Sequence, residues 1–328
     1  MYTEVAKNIY RIPVRLPDSP LKVLNSYFVK DPVRSLLIDT GFYTTVCKEA
    51  LMTGLDMLEV KPDEFDIFLT HMHSDHAGLA ADIIADGKQI LLSERDLRLL
   101  DTTDDGERII WADLARRFKE ADMPEYIIDN INKINPAIAF SSPTESTQYV
   151  GVPDGTMIRA GGYTFRCTLT AGHTPGHMCL WDEDSGIIFT GDHVLFDITP
   201  NITSWAFVSD SLGNYLDSLR AVSKLNVKLA LPGHRNTGDF YSRIDELLHH
   251  HDVRLAEVER IIRECPGLTV YEIAGRMKWK IRTDSWAEFP AAQKIFAVGE
   301  CMSHIDYQIL RGKIKNHKDG AVYRYYSA

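Results

Sequence analysis

Residues 70–78 read THMHSDHAG, so that His71, His73, Asp75 and His76 crowd into six positions directly after the apolar run FDIFLT. Such crowding has no cheap structural use, because titratable groups packed together cost free energy unless they are paired or bind a cation. On an extended segment side chains repeat every second residue, which puts His71 and His73 on one side, able to chelate one ion. Asp75 and His76 come at the turn into a helix over AGLAADIIADG, where the chain reverses and its donors face a second ion. Three more donors follow farther along: His173 in AGHTPGH, Asp192 in FTGDHVL and His234 in LPGHR. Each begins where an apolar, β-branched run ends (YTFRCTLT, GIIFT, VKLALP), which predicts loops at strand ends, aimed by a rigid sheet.

Imidazole and carboxylate are the usual zinc ligands, and a catalytic ion keeps one position open for water or substrate. Seven donors shared by two ions, one carboxylate bridging, leave that room. His173 then completes the first site, His234 the second, and Asp192 is the natural bridge. A lone His or Asp at a loop start carries little weight; the His-x-His-x-Asp-His cluster carries the argument.

Together THMHSDHAG, the later Gly-His, Gly-Asp and Gly-His blocks and the LLIDTG around Asp39 resemble the metallo-β-lactamase-fold hydrolase superfamily, over roughly the first three quarters of the chain. The resemblance implies a four-layer αββα sandwich with a binuclear site at one edge. It implies His71, His73 and His173 on one metal, Asp75, His76 and His234 on the other, and Asp192 on both. Class B β-lactamases usually place Cys where Asp192 stands, so antibiotic hydrolysis is not expected. Within the superfamily these motifs say little about substrate.

At 328 residues, 45% hydrophobic and 25% charged, the chain suits one large soluble sandwich with a small appendage. It contains no apolar run of about 18 residues, and MYTEVAKNIYRIPV lacks the basic start and apolar core of a secretory signal. The expectation is a cytoplasmic protein with no membrane partner. Five scattered cysteines, none in a CxxC pair, predict no structural disulfide; Cys179 in HMCLWDED reads as a buried strand residue. A net charge of −10 disfavours a general nucleic-acid binder, and from 246 onward thirteen Lys and Arg against eleven Asp and Glu make the tail only mildly basic.

The expected organisation is a catalytic domain over 1–245 and a C-terminal domain over 246–328. The catalytic part reads as two halves of similar layout, strand, ligand loop, helix, without detectable sequence repeat. Asp39 is either a residue that fixes the ligand loops or a strand-end turn residue. Between the halves, a helix-patterned insertion spans roughly 97–150: Ile110, Leu114 and Phe118 recur at helical spacing, as do Ile127, Ile128, Ile131 and Ile134 after Pro124. It serves either as a roof over the metal site or as a dimer surface, and the roof is the reading taken here. From Ser242 to Cys265 one apolar stripe includes His251; the triple His249 to His251 reads as solvated helix surface, since consecutive helical residues face different ways. Thr269 and Glu272 form a capping box, a longer helix runs from about Pro290 to Gly312, and KIKNHKDGAVYRYY predicts a hairpin turning at Asp319-Gly320. Helices followed by a hairpin resemble a winged helix. A similar appendage occurs in hydrolases that resemble the lactamase-like metal-dependent RNA endonucleases.

The expected chemistry is hydrolysis of an ester, thioester or lactone of a small molecule by a hydroxide held between two divalent ions, since a bound ion lowers the pKa of water to about 7. Zn²⁺ suits the donors, and Mn or Fe fit as well. Asp75 is expected to orient the nucleophile or take its proton, in addition to its role as a ligand. His177 and His193 are secondary candidates beside the metals, and Arg235 is a candidate for an anionic group of the substrate. Two alternatives stand beside this reading: a phosphodiesterase or endoribonuclease using the same site, and a non-enzymatic metal-dependent DNA-binding sensor. A homodimer is compatible with all three.

Overall fold

The computed structural model describes residues 1–100, 109–135, 139–140, 148–205, 207–281, 283 and 285–328, the side chains of 109–111 and 132 aside. These fall into two compact units. The first comprises Met1–Leu100, Phe140–Pro200 and Ser218–Ile244; the second comprises Asp101–Ala139, Asn201–Asp217 and Asp245–Ala328.

Two sheets build the first unit. In one, β1 (Thr3–Ala6), β2 (Ile9–Arg15), β3 (Val23–Val29), β4 (Ser35–Ile38), β5 (Phe65–Phe68), β6 (Ile90–Ser93) and β7 (Tyr149–Val152) lie side by side in that order. The first four pair antiparallel and the last four parallel. The other contains β8 (Met157–Ala160), β9 (Tyr163–Leu169), β10 (Met178–Asp182), β11 (Ile187–Gly191) and β12 (Leu229–Pro232), and only its β11–β12 pair is parallel.

Period-two burial explains why the sheets stack. Along β4, Leu36 and Ile38 join a core with Phe165, Leu180 and Phe189 of the second sheet. Leu37, between them, turns to the opposite face and packs with Leu51 and Leu55 of helix α1 (Thr45–Met57). β5 repeats the device, with Phe68 in the inner core and Phe65 and Ile67 in the outer one. Each such side chain contributes about 1.5–3 kcal/mol on full burial. β10 and β11 are buried at every position, so this part of the second sheet is covered on both faces, whereas β8 alternates buried and exposed. The result is the mixed α/β sandwich expected from the sequence. Cys179 is a buried β10 residue, and all five cysteines are free.

In the second unit the insertion forms helices Ile109–Glu120, Glu125–Ile128 and Ile131–Ile134. Leu114, Phe118, Ile127, Ile128 and Ile131 are buried, as their spacing requires. The side chain of Ile110 and positions 101–108, 136–138 and 141–147 of the 97–150 insertion lie outside the described residues. This segment clusters with the C-terminal part: Tyr271 N donates to Ala121 O at 3.0 Å, and Arg117 Nη2 to Asp306 Oδ2 at 2.9 Å. Thr269 and Glu272 form the expected reciprocal cap on helix Val270–Ala274. Helix Ala291–Leu310 and strands β13 (Ile314–Asp319) and β14 (Val322–Ser327) follow. Two details correct the sequence reading. Asp319 pairs with Val322, so the hairpin turns on Gly320–Ala321, one residue later than expected, with Gly320 at φ 62°. His251 is not solvated: it is fully buried and meets His304, because it falls on the apolar stripe of helix Phe240–Glu264. Among the described residues no helix is long and apolar enough to cross a membrane.

Candidate metal centre

All seven sequence-predicted donors lie just beyond strand ends and converge. β5 ends at Phe68, ahead of His71 and His73; Asp75 and His76 sit on the single turn α2 (Ser74–Ala77), which is followed by α3 (Ala80–Ile83) rather than by one continuous helix. β9, β11 and β12 lead to His173, Asp192 and His234. His73 Nδ1 lies 3.0 Å from His71 Nε2 and 2.9 Å from His173 Nε2. On the other side, His234 Nε2 lies 3.3 Å from His76 Nε2 and 3.2 Å from Asp75 Oδ2. Asp192 stands between: Oδ1 is 3.4 Å from His76 Nε2 and 3.5 Å from His234 Nε2, while Oδ2 is 3.6 Å from His173 Nε2.

The layer behind the donors decides which ring nitrogens carry protons. His234 Nδ1 donates to the Val23 carbonyl at 2.9 Å, and His76 Nδ1 to Asp39 Oδ2 at 2.7 Å. Thr70 gives its hydroxyl proton to Asp39 Oδ2 at 2.9 Å, so its oxygen accepts from His71 Nδ1 at 3.1 Å. With Nδ1 committed in this way, Nε2 is the nitrogen that each of these three rings turns to the centre. Asp39 also accepts from Thr70 N at 2.8 Å, which ties the backbone before His71 to the end of β4.

Electrostatics divides the rings. Burial, reinforced by neighbouring histidines, holds His71 well below the usual imidazole range and His73 at about 3. Burial opposes charge on His76 and His234 too, but Asp192 together with Asp39 and Asp75 for His76, and with Asp75 for His234, outweighs it and raises both. Burial also works against the two central carboxylates; the surrounding histidines prevail, lowering Asp75 to about 2 and holding Asp192 well below the usual carboxylate range. Positive charge is thus favoured on the His76 and His234 side, beside the carboxylates, and disfavoured on His71 and His73.

Three groups place one donor atom each within 4.8 Å of one another: His71, His73 and His173; His71, His76 and Asp192; and Asp75, His76 and His234. Asp192 Oδ1 is buried and has no hydrogen-bond partner among the described residues. A buried carboxylate oxygen left without a hydrogen bond among converging imidazole nitrogens fits a divalent cation, which would replace protons on those nitrogens.

The family model described as the metallo-beta-lactamase superfamily matches residues 21–234, which include every one of these donors. The chain belongs to that superfamily. A metallo-beta-lactamase family protein of Thermus thermophilus superposes with a TM-score of 0.83 at 25% identity, covering 99% of this chain and 100% of the other. A beta-lactamase domain protein of Burkholderia ambifaria gives 0.82 at 22% identity, covering 100% and 94%. Among curated relatives, a lactamase-like protein of Aspergillus fumigatus is 24% identical over 276 residues, 78% of this chain and 66% of its own. The chain thus spans just under two thirds of that relative's length. Members of the superfamily are hydrolases, and this one carries candidate metal-binding clusters of His and Asp.

In this superfamily member the secondary candidates have distinct roles. His177 is fully buried, meets Thr170 Oγ1 through Nδ1 at 2.8 Å, and accepts from the backbone N of Asp192 at 3.1 Å through Nε2, holding Asp192 from behind. His193 is buried; burial takes its pKa down to about 3 despite the Ser218 backbone. Arg235 has φ 64° and spends Nη2 on the Pro20 carbonyl at 2.7 Å. Three supports escaped the sequence reading. Thr70 sits one residue before the first ligand. Asn25 Nδ2 ties down the Pro232 and Arg235 carbonyls on either side of His234, at 3.1 and 2.9 Å. Gly233 admits no side chain, since a Cβ there would lie 2.8 Å from His76 Cε1 and 2.9 Å from Asp192 Oδ1. Thr70 and Gly233 had a visible signal, each standing directly before a candidate ligand, and Asn25 had none.

Proposed function

We propose that this chain is a binuclear metallohydrolase that cleaves an ester, thioester or lactone of a small molecule. The observation that carries the reading is Asp192, whose two oxygens face different ligand groups, Oδ1 toward His76 and His234 and Oδ2 toward His173. His71, His73 and His173 would hold one ion, Asp75, His76 and His234 the other, and Asp192 both, with Zn²⁺ the metal this donor set suits best. When bound, such ions supply acidified water and polarisation of a carbonyl.

The chain's own groups do the rest. Asp39, Thr70 and the Val23 carbonyl hold protons on the Nδ1 atoms of His76, His71 and His234, which keeps their Nε2 atoms directed inward. Asp75 is ionised at neutral pH, and its carboxylate orients an attacking water or takes a proton from it. We read the C-terminal helices and hairpin, about 246–328, as a winged-helix-like module that does not engage nucleic acid. Four of its cations are already committed: Lys313 to Glu259 at 2.7 Å, Arg324 to Asp319 at 2.7 Å, Arg311 to Asp210 at 3.0 Å, and Lys318 to Glu120 at 3.9 Å.

The test is metal analysis of purified protein, then turnover of thioesters, lactones, phosphodiesters and short RNAs. Salt-insensitive hydrolysis of a thioester or lactone is expected. Cleavage confined to RNA, with affinity falling steeply as salt rises, would overturn the small-molecule reading in favour of a nuclease.

A further inference from the structure

We propose that Asp96 is a positioning residue for the first ligand set, its carboxylate clamping the His71–His73 segment of one sheet to the His173 loop of the other. The inference rests on reading His71, His73 and His173 as ligands of one ion. Asp96 lies on helix α4 (Glu94–Arg98), directly after β6, and is fully buried. Its Oδ2 accepts from Met72 N at 3.0 Å and from Thr174 Oγ1 at 2.7 Å; its Oδ1 accepts from Gly176 N at 2.6 Å. Met72 lies between two of the ligands, and Thr174 follows the third.

The need for a clamp follows from topology. The His71 segment leaves β5 of the seven-stranded sheet, whereas His173 leaves β9 of the five-stranded one, so no ladder of backbone bonds fixes one against the other. Met178 N donates to Thr70 O at 2.8 Å and joins the segments at their base. Asp96 joins them beside the ligands. A buried carboxylate is costly unless its lone pairs are met, and here three donors from two loops meet them. The approach is close enough to exclude a side chain at Gly176, whose Cβ would lie 2.5 Å from Asp96 N and 2.7 Å from its Oδ1.

The experiment compares full-length wild type, Asp96→Asn and Thr174→Val. Asn keeps the shape but turns an amide NH₂ toward a donor, losing at least one bond; Val removes the hydroxyl bond and keeps both backbone bonds. Zn²⁺ affinity is read by competition with a chromogenic chelator, geometry by the visible spectrum of the Co²⁺ protein, and fold by circular dichroism and melting of the metal-free protein. D96N is expected to lose about 10- to 100-fold in affinity for one ion and to shift the cobalt bands, with T174V shifting them less. Wild-type affinity and cobalt bands in a folded D96N overturn the clamp, whatever its melting temperature. If D96N does not fold, the same unchanged values in T174V overturn it. Failure of the wild type itself to bind Zn²⁺ or Co²⁺ removes the metal reading, and that result is recognisable before any variant is made.

Discussion

Each unit of this chain buries a group of histidines, and the two groups are built on opposite plans. In the second unit His304 Nδ1 donates to the Glu300 carbonyl at 2.7 Å, leaving Nε2 to accept from His251 Nδ1 at 3.1 Å. That chain of protons ends on a backbone oxygen, and burial pushes both rings down, His304 to about 3. In the first unit three carboxylates interleave with the rings, and two of the imidazoles are pushed up rather than down. Among the described residues, ligand atoms gather in threes only there. Burial of histidine is therefore no sign of a metal site. Convergence with carboxylates, on rings whose far nitrogens are already spent, is the sign.

The comparison breaks most visibly at Asp192. Asp192→Ala removes the oxygens shared by both ligand groups and is expected to abolish turnover together with bound metal, read by elemental analysis beside any substrate the panel yields; full activity with full metal content would refute the shared bridge. Asp39→Asn comes next. It weakens the acceptor that keeps the His76 and Thr70 protons in place, and should lower metal affinity by about 10- to 100-fold without loss of fold, measured by chelator competition. Equal affinity in that variant would show that the tautomers need no such support.

Much of the first plan was legible in the sequence because its donors are contiguous or follow apolar runs: THMHSDHAG, then His173, Asp192 and His234, each just past a strand. The sandwich came from the family resemblance those motifs carry, since strands such as LLI and FDIF show themselves only as apolar runs, buried at every position. What was not legible joins residues far apart in the chain. Asp96 meets Met72 and Thr174, and Asn25 meets Pro232, through distances set only by the folded sheets. His251 was misread because the triple was taken together as solvated, although the helical stripe already set His251 apart from His249. The second unit's composition was likewise hidden, for segments 101–139 and 245–328 share no local pattern that announces their clustering.

The neutral pair predicts a pH response of its own. In the unfolded chain these histidines titrate near 6.5; in the folded protein they stay neutral down to far lower pH, His304 to about 3. Below 6.5 the unfolded state thus binds more protons, so the stability they contribute is complete above 6.5 and is lost as pH falls toward 3. Each ring adds a slope of about 1.4 kcal/mol per pH unit at most. Replacing both, His251→Leu with His304→Leu, should flatten the acid limb of urea-unfolding stability for chelator-treated protein by on the order of 1 kcal/mol per unit, leaving metal binding by the untreated protein intact. An acid limb as steep as the wild type's would mean the pair does not titrate as described.

The smallest expected effect sharpens the contrast within a single turn. His249, His250 and His251 are consecutive on helix Phe240–Glu264, and a rotation of about 100° per residue turns each a different way. His249 is exposed, His250 is half-buried, and His251 is closed in against His304 and the edge of Tyr215. His249→Ala removes nothing that burial or a carboxylate has fixed, so stability should move by no more than about 0.5 kcal/mol and bound metal not at all. Elemental analysis and a urea melt read both quantities on one preparation. A loss of metal from H249A would mean that the helix supplies a ligand after all, and the rule that carboxylates mark the functional histidines would no longer separate the two clusters.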